Sequence, residues 1–271
     1  MTISTIIERT FGTGPFVVNY GGGVDSTAMI VGLHERGIFI DHILFADTGS
    51  EKPETYAYLE EMGRWLEAHE LPAIQVVRRY GVDGLYGEAS RPSKTGPGYT
   101  TIEGNCLQND TLPSLAFGRK SCSLKWKADP MDKWLKVELA STWDEGRRPF
   151  KAIGYDCSPA DSRRAVKRDR DELFDFWYPL RDWGWDRELC KTAIVGAGLS
   201  IPVKSACFFC PASKPAELRE MAQAHPELLA RCIELEDNAQ PKLQTIPGLW
   251  RKGSWREFVE AEGLIPLTPV N

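Results

Sequence analysis

The chain has 271 residues, of which 42% are hydrophobic and 26% are charged. This composition is that of a globular protein and excludes a disordered chain, and the length suits one large domain or one domain with a smaller appendage. The net charge of -5 argues against wholesale electrostatic wrapping of nucleic acid, although an acidic protein can still carry a local basic patch.

The first predicted elements are a strand, a glycine turn and a helix. Residues 16–18 form a short apolar run typical of a buried parallel strand. Residues 21–23 are glycines, which free the backbone to adopt positive φ and to approach a ligand closely. Residues 24–33 have helical spacing, so the turn leads to a helix N-terminus, which attracts anions. The pattern predicts a phosphate site, and its simpler interpretation is a tight strand-to-helix turn.

Asp25 and Ser26 fall in the first turn of this helix, where a carboxylate can hold a cation and a hydroxyl can donate to phosphate. The stretch lacks the ending of a Walker A loop and the spacing of the dinucleotide fingerprint. It resembles the Ser-Gly-Gly-x-Asp-Ser loop of the PP-loop ATP pyrophosphatases, with Gly21 where that family has its first serine. The resemblance implies catalytic roles for Asp25 and Ser26. It also implies an ATP site formed by Tyr20, Gly21, Gly22, Gly23, Val24, Asp25, Ser26 and Thr27.

Two further strands are predicted at residues 41–47 and 74–78, with a helix at residues 55–69 between them. The alternation predicts a doubly wound parallel sheet. Ligands of such sheets bind at the carboxyl ends of the strands, so we expect the loop after the second strand to lie beside the glycine turn.

That loop, Thr48-Gly-Ser-Glu-Lys-Pro-Glu-Thr, resembles the Thr-Gly-x-Glu-x-Pro-Glu-Thr motif of the 3′-phosphoadenylylsulfate (PAPS) reductase-like branch of the same family. The resemblance implies an α/β fold of the Rossmann-like HUP type, with a cysteine-bearing insertion and a helical C-terminal part. It also implies that the nucleotide site includes Asp47, Thr48, Gly49 and Glu51. Capping of the following helix by Thr48 or Ser50 is compatible with this role.

Residues 81–113 lose periodicity and predict a lid or a substrate-facing insertion. The segment 119–127 then places four cations around one cysteine and one tryptophan. Charge patterning alone equally suits a solvated helix start. Resemblance to the cysteine-containing, Lys/Arg-rich segment of PAPS reductase-like proteins implies an anion-binding or cluster-bearing role.

Residues 152–156 predict a further strand and turn, and a helix is expected from about residue 186 to 197. Residues 154–164 resemble a variant of the family's Gly-x-Arg-x-x-Glu-Ser segment, with Tyr155 where an arginine is usual. The resemblance implies that Gly154 binds the nucleotide. Since guanidinium groups match phosphate bidentately, Arg163 or Arg164 is the candidate for stabilising the pyrophosphate leaving group.

The seven cysteines divide into candidate metal ligands and core residues. Cys207 and Cys210 have the spacing of a metal knuckle, and their place between prolines in a loop disfavours a thioredoxin-like redox motif. Cys122 is the third candidate because basic flanks lower a thiol pKa, and Cys106 is the fourth. The set suits zinc or a four-iron four-sulfur cluster equally, and the family resemblance implies the cluster.

The remaining cysteines have other expected places. Cys190 and Cys232 lie in helical apolar patterns and are expected in the core. Cys157 is a possible active-site thiol, ranked behind Cys106 as a ligand.

The domain boundary is expected near residue 205. A nucleotide-binding α/β domain spans residues 1–205, with an insertion at about 81–150, and residues 206–271 carry the Cys-x-x-Cys knuckle and the helical C-terminal region. The pattern of that region predicts two short helices and an irregular tail with Trp250, Trp255 and Phe258. The tryptophans are expected to pack the tail on the core, and stacking on a base or ring is the alternative. We expect a cytoplasmic protein without a signal peptide or membrane span. Disulfides are rare in the cytoplasm.

The implied activity is adenylylation of a substrate by ATP with Mg²⁺ and release of pyrophosphate, followed by sulfur or nitrogen delivery. The expected partners are ATP, a nucleic-acid base or small metabolite as acceptor, and a sulfur-donor protein. One alternative is a sulfonucleotide reductase, disfavoured because no cysteine follows Cys232. Another is a nucleotide- or nucleic-acid-binding subunit without turnover.

Overall fold

The computed structural model describes residues 14–80, 98–113, 121–165, 171–250 and 252–264. Most of the predicted lid, residues 81–97, and Arg119 and Lys120 of the cation-rich segment lie outside this described part. None of the described helices has the length and apolar character needed to cross a bilayer. The elements are β1 (Phe16–Tyr20), α1 (Val24–Glu35), β2 (His42–Asp47), α2 (Pro53–Ala68), β3 (Ile74–Arg78), α3 (Ile102–Asn109), α4 (Ser121–Ser123), a π-helical segment (Leu124–Ala128), α5 (Asp129–Glu138), α6 (Ala140–Asp144), β4 (Phe150–Ile153), α7 (Pro159–Ala165), β5 (Asp175–Trp177), α8 (Pro179–Asp182), α9 (Arg187–Gly196), α10 (Pro215–Ala224), α11 (Pro226–Ala239), a 3-10 turn (Gln240–Lys242) and α12 (Trp255–Glu262).

The strands form one five-stranded sheet in the order β3-β2-β1-β4-β5. β1 pairs in parallel with β2 and with β4, and β4 pairs in parallel with β5. Val18 lies opposite Ile43 on one side and Ala152 on the other, which fixes the register. The strand order reverses direction between β1 and β4, as in doubly wound folds, so the predicted fold class is confirmed. The gap between the carboxyl ends of these two strands is the topological switch point.

The chain divides into two compact units. Unit 1 takes its described residues from Met1–Ala46, Lys52–Val77 and Met131–Ser205, and it contains most of the sheet. Its helix α1 is buried along nearly its whole length. α1 packs against α9 and also lies close to Trp183 and Trp185. A Cβ on Gly32 would come within 2.5 Å of the Trp183 ring and 3.0 Å of the Trp185 ring. A glycine is therefore required where α1 passes these rings.

Unit 2 takes its described residues from Asp47–Glu51, Arg78–Pro130 and Ala206–Asn271. In it α11 packs against α3, α10 and α12. The expected packing of the tail aromatics is confirmed: Trp255 is fully buried, and the Trp250 ring contacts both Trp255 and Phe258.

The prediction of an irregular C-terminal tail is wrong for residues 255–262, which form helix α12. Ser254 caps this helix by accepting a hydrogen bond from the Glu257 N–H, and Gly263 ends it with φ of +60°. Trp255, Phe258 and Val259 have the i, i+3, i+4 spacing of a helix that buries one face. The helical signal was therefore present in the sequence.

Candidate functional site

The glycine turn connects β1 to α1 in unit 1. Gly22 adopts φ of +69°, and Gly23 stands at the N-cap without a side-chain cap. The Ser26 hydroxyl accepts a hydrogen bond from the Gly21 N–H (3.1 Å) and donates to the Gly23 carbonyl (3.1 Å). Ser26 thus closes the turn from inside, and the turn delivers the chain to a helix N-terminus at the switch point.

Gly154 follows β4 and lies directly on the first turn of α1. A Cβ at this position would be 2.9 Å from the Ser26 nitrogen and 3.0 Å from the Asp25 carbonyl carbon. These are backbone atoms, so no side-chain rotation could make room. Only glycine allows the loop after β4 to approach α1 this closely, and the role of Gly154 in binding a nucleotide stays a prediction.

Three carboxylates meet beside this contact. One oxygen from each of Asp25, Asp156 and Asp161 lies within 4.8 Å of the other two. Asp156 accepts a hydrogen bond from the Ser158 N–H (2.8 Å), and Asp161 accepts one from the Arg164 guanidinium (2.7 Å). Sequence reasoning named Asp25 and missed the other two as site residues. The available signal was their position, immediately after a buried strand and at the start of α7.

Asp25 is the carboxylate in the least favourable surroundings. Its Oδ2 pairs with the Arg187 guanidinium at 3.0 Å, whereas its Oδ1 is buried without a hydrogen-bond partner among the described residues. Burial raises its pKa to about 6; Arg187 opposes this rise, and the negative charges of Asp156 and Asp161 add to it. A divalent cation would relieve both the repulsion and the unsatisfied oxygen, so the donor set fits such an ion.

The arginines around the carboxylates are only partly those predicted from the sequence. Arg164 lies in α7 and pairs with Asp161, while Arg163 is exposed on the same helix. Arg187, the first residue of α9, was missed because nothing in the sequence links it to Asp25, 162 positions away. Tyr155, where the family pattern has an arginine, stacks face to face on Tyr178 with ring centroids 5.5 Å apart.

The loop after β2 belongs to unit 2, where its side chains have partners. Asp47 accepts hydrogen bonds from the Arg78 guanidinium (2.9 Å) and from the Gly49 N–H (2.8 Å). Thr48 donates to Glu51 (3.0 Å), and its hydroxyl lies 3.3 Å from the Cys207 sulfur. The assignment of Asp47, Thr48, Gly49 and Glu51 to the nucleotide site stays a prediction.

The Cys-x-x-Cys motif forms a turn, closed by a hydrogen bond from the Cys210 N–H to the Cys207 carbonyl (3.0 Å). Lys127, from the π-helical segment, lies 2.7 Å from Glu51. Burial lowers the Lys127 pKa, but the pKa is raised on balance, chiefly because the Glu51 carboxylate lies beside the ammonium. Burial also raises the pKa of the Cys207 thiol to about 12. A positive charge is thus fixed beside the turn.

The other two candidate ligands lie in the same unit. Cys106 is buried in α3, and burial together with the nearby Cys122 raises its pKa to about 12. All seven cysteines are free. Among the described residues, the three aspartates are the only group of three or more possible metal ligands with donor atoms within 4.8 Å of one another, so no three of the four candidate thiols are that close.

The predicted core positions of Cys190 and Cys232 are confirmed, since each is fully buried. Cys157, the candidate active-site thiol, is exposed, and its sulfur lies 3.8 Å from the Leu180 carbonyl.

No protein-family model and no curated protein matches this chain. Among solved structures, the chain is similar to the U34-tRNA thiolase NcsA from Methanococcus maripaludis, determined with its 4Fe-4S cluster. The two share 13% sequence identity with a TM-score of 0.37, over 97% of this chain and 87% of that one.

Proposed function

We propose that this chain is a PP-loop ATP pyrophosphatase that binds ATP at residues 20–27. The observation that supports this most strongly is the glycine turn at the switch point. The first turn of α1 lies against Gly154, and three carboxylates lie beside this contact. A helix N-terminus reached through glycines offers backbone N–H groups to phosphate oxygens. The donors and the carboxylates together suit a triphosphate with a divalent cation.

The reaction we propose is adenylylation of an acceptor. An acceptor oxygen attacks the α-phosphorus of ATP, the new oxygen–phosphorus bond forms, and the bond to the bridging oxygen breaks. The electron pair leaves with pyrophosphate. The helix N-terminus and nearby cations stabilise the charge that develops on the phosphate oxygens. The acceptor is a nucleic-acid base or a small metabolite. A sulfur or nitrogen nucleophile then attacks the carbon that bears the adenylate, the carbon–oxygen bond breaks, and AMP leaves with the electron pair.

Asp25, Asp156 and Asp161 are the residues that would hold Mg²⁺. The fit is supported by the clustering of their oxygens and by the buried, unpaired Asp25 Oδ1. Bound there, the ion would neutralise charge on the phosphates. Arg187 lies 3.0 Å from Asp25 and is half exposed, so it can exchange its carboxylate partner for a phosphate. We add Arg187 to the predicted Arg163 and Arg164 as a candidate for binding pyrophosphate.

For unit 2 we propose a four-iron four-sulfur cluster held by Cys106, Cys122, Cys207 and Cys210. Sulfurs bound to one tetrahedral zinc at about 2.3 Å would lie about 3.8 Å apart. No three of these described thiols lie within 4.8 Å of one another. Cluster ligands bind separate irons and are spaced more widely. The resemblance to PAPS reductase-like proteins is what supports the cluster over zinc. Such a group would supply electron transfer or a site for sulfur.

The test is calorimetric ATP binding, followed by a screen for pyrophosphate release with tRNA, nucleosides and small metabolites as acceptors. Asp25→Ala should abolish pyrophosphate release and weaken Mg²⁺-ATP binding, whereas Asp144→Ala, at an exposed carboxylate of the same unit, should change neither. No ATP binding by the wild-type chain would refute the proposal. Binding with no release in any screen would instead support the non-catalytic subunit.

A further inference from the structure

The segment that follows α9 reaches the glycine turn. The Ser205 hydroxyl donates a hydrogen bond to the Gly21 carbonyl. The Ser205 Cβ lies 3.6 Å from where a Cβ on Gly23 would be, so this residue covers the turn. The same segment is held elsewhere by Ser200, whose N–H and hydroxyl both donate to Glu61 at 2.6 Å. Two serines thus anchor this segment within unit 1, and of these two only Ser205 does so at the glycine turn.

The hydroxyls that belong to the turn itself are directed inward. The Ser26 hydroxyl donates its proton to the Gly23 carbonyl and accepts from the Gly21 N–H. The Thr27 hydroxyl is fully buried and lies 3.4 Å from the Tyr20 hydroxyl. The Ser26 proton is thus engaged by a backbone carbonyl, and the Thr27 hydroxyl does not reach the surface of the turn. Ser205, by contrast, is partly exposed.

We propose that Ser205 supplies the side-chain hydroxyl that donates to a phosphate oxygen of the nucleotide. This inference rests on the proposed ATP site. Gly21 has no side chain, although one would fit, because a Cβ there meets nothing closer than the Ser26 hydroxyl oxygen at 3.7 Å and the residue does not adopt positive φ. The hydroxyl absent from position 21 comes instead from a residue 184 positions away.

The exchange of partners is favourable. In the free protein the Ser205 hydroxyl donates to a neutral carbonyl at the surface. A rotation about χ1 redirects the same proton to an anionic phosphate oxygen. Hydrogen bonds to ionised acceptors are roughly twice as strong as neutral ones, so phosphate outcompetes the carbonyl.

The experiment compares calorimetric affinities for ATP, pyrophosphate and adenosine. Ser205→Ala should weaken ATP and pyrophosphate binding about ten-fold and leave adenosine binding unchanged. Ser200→Ala removes a hydroxyl from the same segment away from the turn, so it should leave all three affinities at the wild-type values. Should the alanine variant fail to fold, Ser205→Thr and Ser205→Val are compared instead, and the threonine variant alone should retain phosphate affinity.

The decisive variant is Gly21→Ser in the Ser205→Ala background, which should recover ATP affinity because it returns a hydroxyl to the turn. Unchanged pyrophosphate affinity in Ser205→Ala would overturn the inference while leaving the ATP site intact. Equal weakening of all three ligands by Ser205→Ala and Ser200→Ala would overturn it too, since the serines would then only fix the segment. Failure of the wild-type chain to bind ATP would overturn the proposed function itself.

Discussion

Gly154→Ala tests whether the loop after β4 lies on α1 as closely as the structure indicates. The added methyl carbon would be 2.9 Å from both the nitrogen and the Cα of Ser26, and 3.0 Å from the Asp25 carbonyl carbon. Ordinary contacts begin near 3.4 Å, so the two backbones must separate by roughly 0.5 Å. α1 is buried from Ser26 to Leu33 and cannot move aside easily. Overpacking of this kind costs about 1–3 kcal/mol.

Thermal unfolding and ATP calorimetry measure the two consequences. At about 2–4 °C per kcal/mol, the Tm of Gly154→Ala should fall by several degrees. ATP affinity or turnover should fall about ten-fold, because binding groups have to hold their geometry to about 0.5 Å. Gly63→Ala is the matched control, since Gly63 is inside α2 with nothing within 4 Å of an added Cβ. It should gain about 0.5–1 kcal/mol.

A Gly154→Ala protein with the wild-type Tm and the wild-type ATP affinity would refute the close approach of these two backbones. A lower Tm with unchanged ATP affinity would confirm the close packing and show that Gly154 has no role in ATP binding.

Three further perturbations test other parts of the two units. Burial raises the Asp25 pKa from 3.8 to about 6, so the native state binds this proton more tightly and the stability contribution of Asp25 falls as pH rises from about 4 to about 6. Melting curves of Asp25→Asn without divalent cation should lack that decline, and equal pH slopes in both proteins would contradict the assignment. Cys207→Ser should lower both the Tm and the iron and sulfide content of anaerobically purified protein. Cys232→Ala should leave the iron content unchanged and lower the free energy of unfolding by about 1 kcal/mol. Full iron content in Cys207→Ser would exclude Cys207 as a ligand. The buried Glu236 accepts hydrogen bonds from four donors in residues 249–256, so Glu236→Gln should destabilise unit 2 by about 2–4 kcal/mol in chemical denaturation and expose that segment to proteolysis. The exposed Glu234→Gln on the same helix should behave as wild type, and equal stability of the two variants would contradict a stabilising role for the Glu236 hydrogen bonds.

The two units draw on alternating parts of the chain. Unit 2 receives only five residues, Asp47–Glu51, between two segments of unit 1. Within unit 2 the Ser50 carbonyl accepts the Phe208 N–H, and the Thr48 hydroxyl lies beside the Cys207 sulfur. The motif that resembles a nucleotide loop therefore also holds the Cys-x-x-Cys turn. We expect substitutions in this loop to disturb the cysteine region first.

The sequence by itself determined the features that are local. Strand and helix alternation predicted the sheet, and residues 74–78 form β3 with the predicted bounds. Three glycines between an apolar run and a helical pattern predicted the turn before α1. The flanking prolines predicted that the Cys207–Cys210 pair lies in a loop rather than at a helix start, and the pair forms a turn. Such features depend on neighbouring residues, whose periodicity can be read along the chain.

Only the tertiary structure decided which distant side chains meet. The strand order brings the loop after β4 onto α1, and this places Asp156 and Asp161 beside Asp25. Packing of α9 against α1 brings Arg187 to the same carboxylate, and the segment after α9 carries Ser205 to Gly21. These pairs are separated by more than a hundred residues and have no shared period. Sheet order and helix packing determine their proximity, and neither is encoded in local spacing.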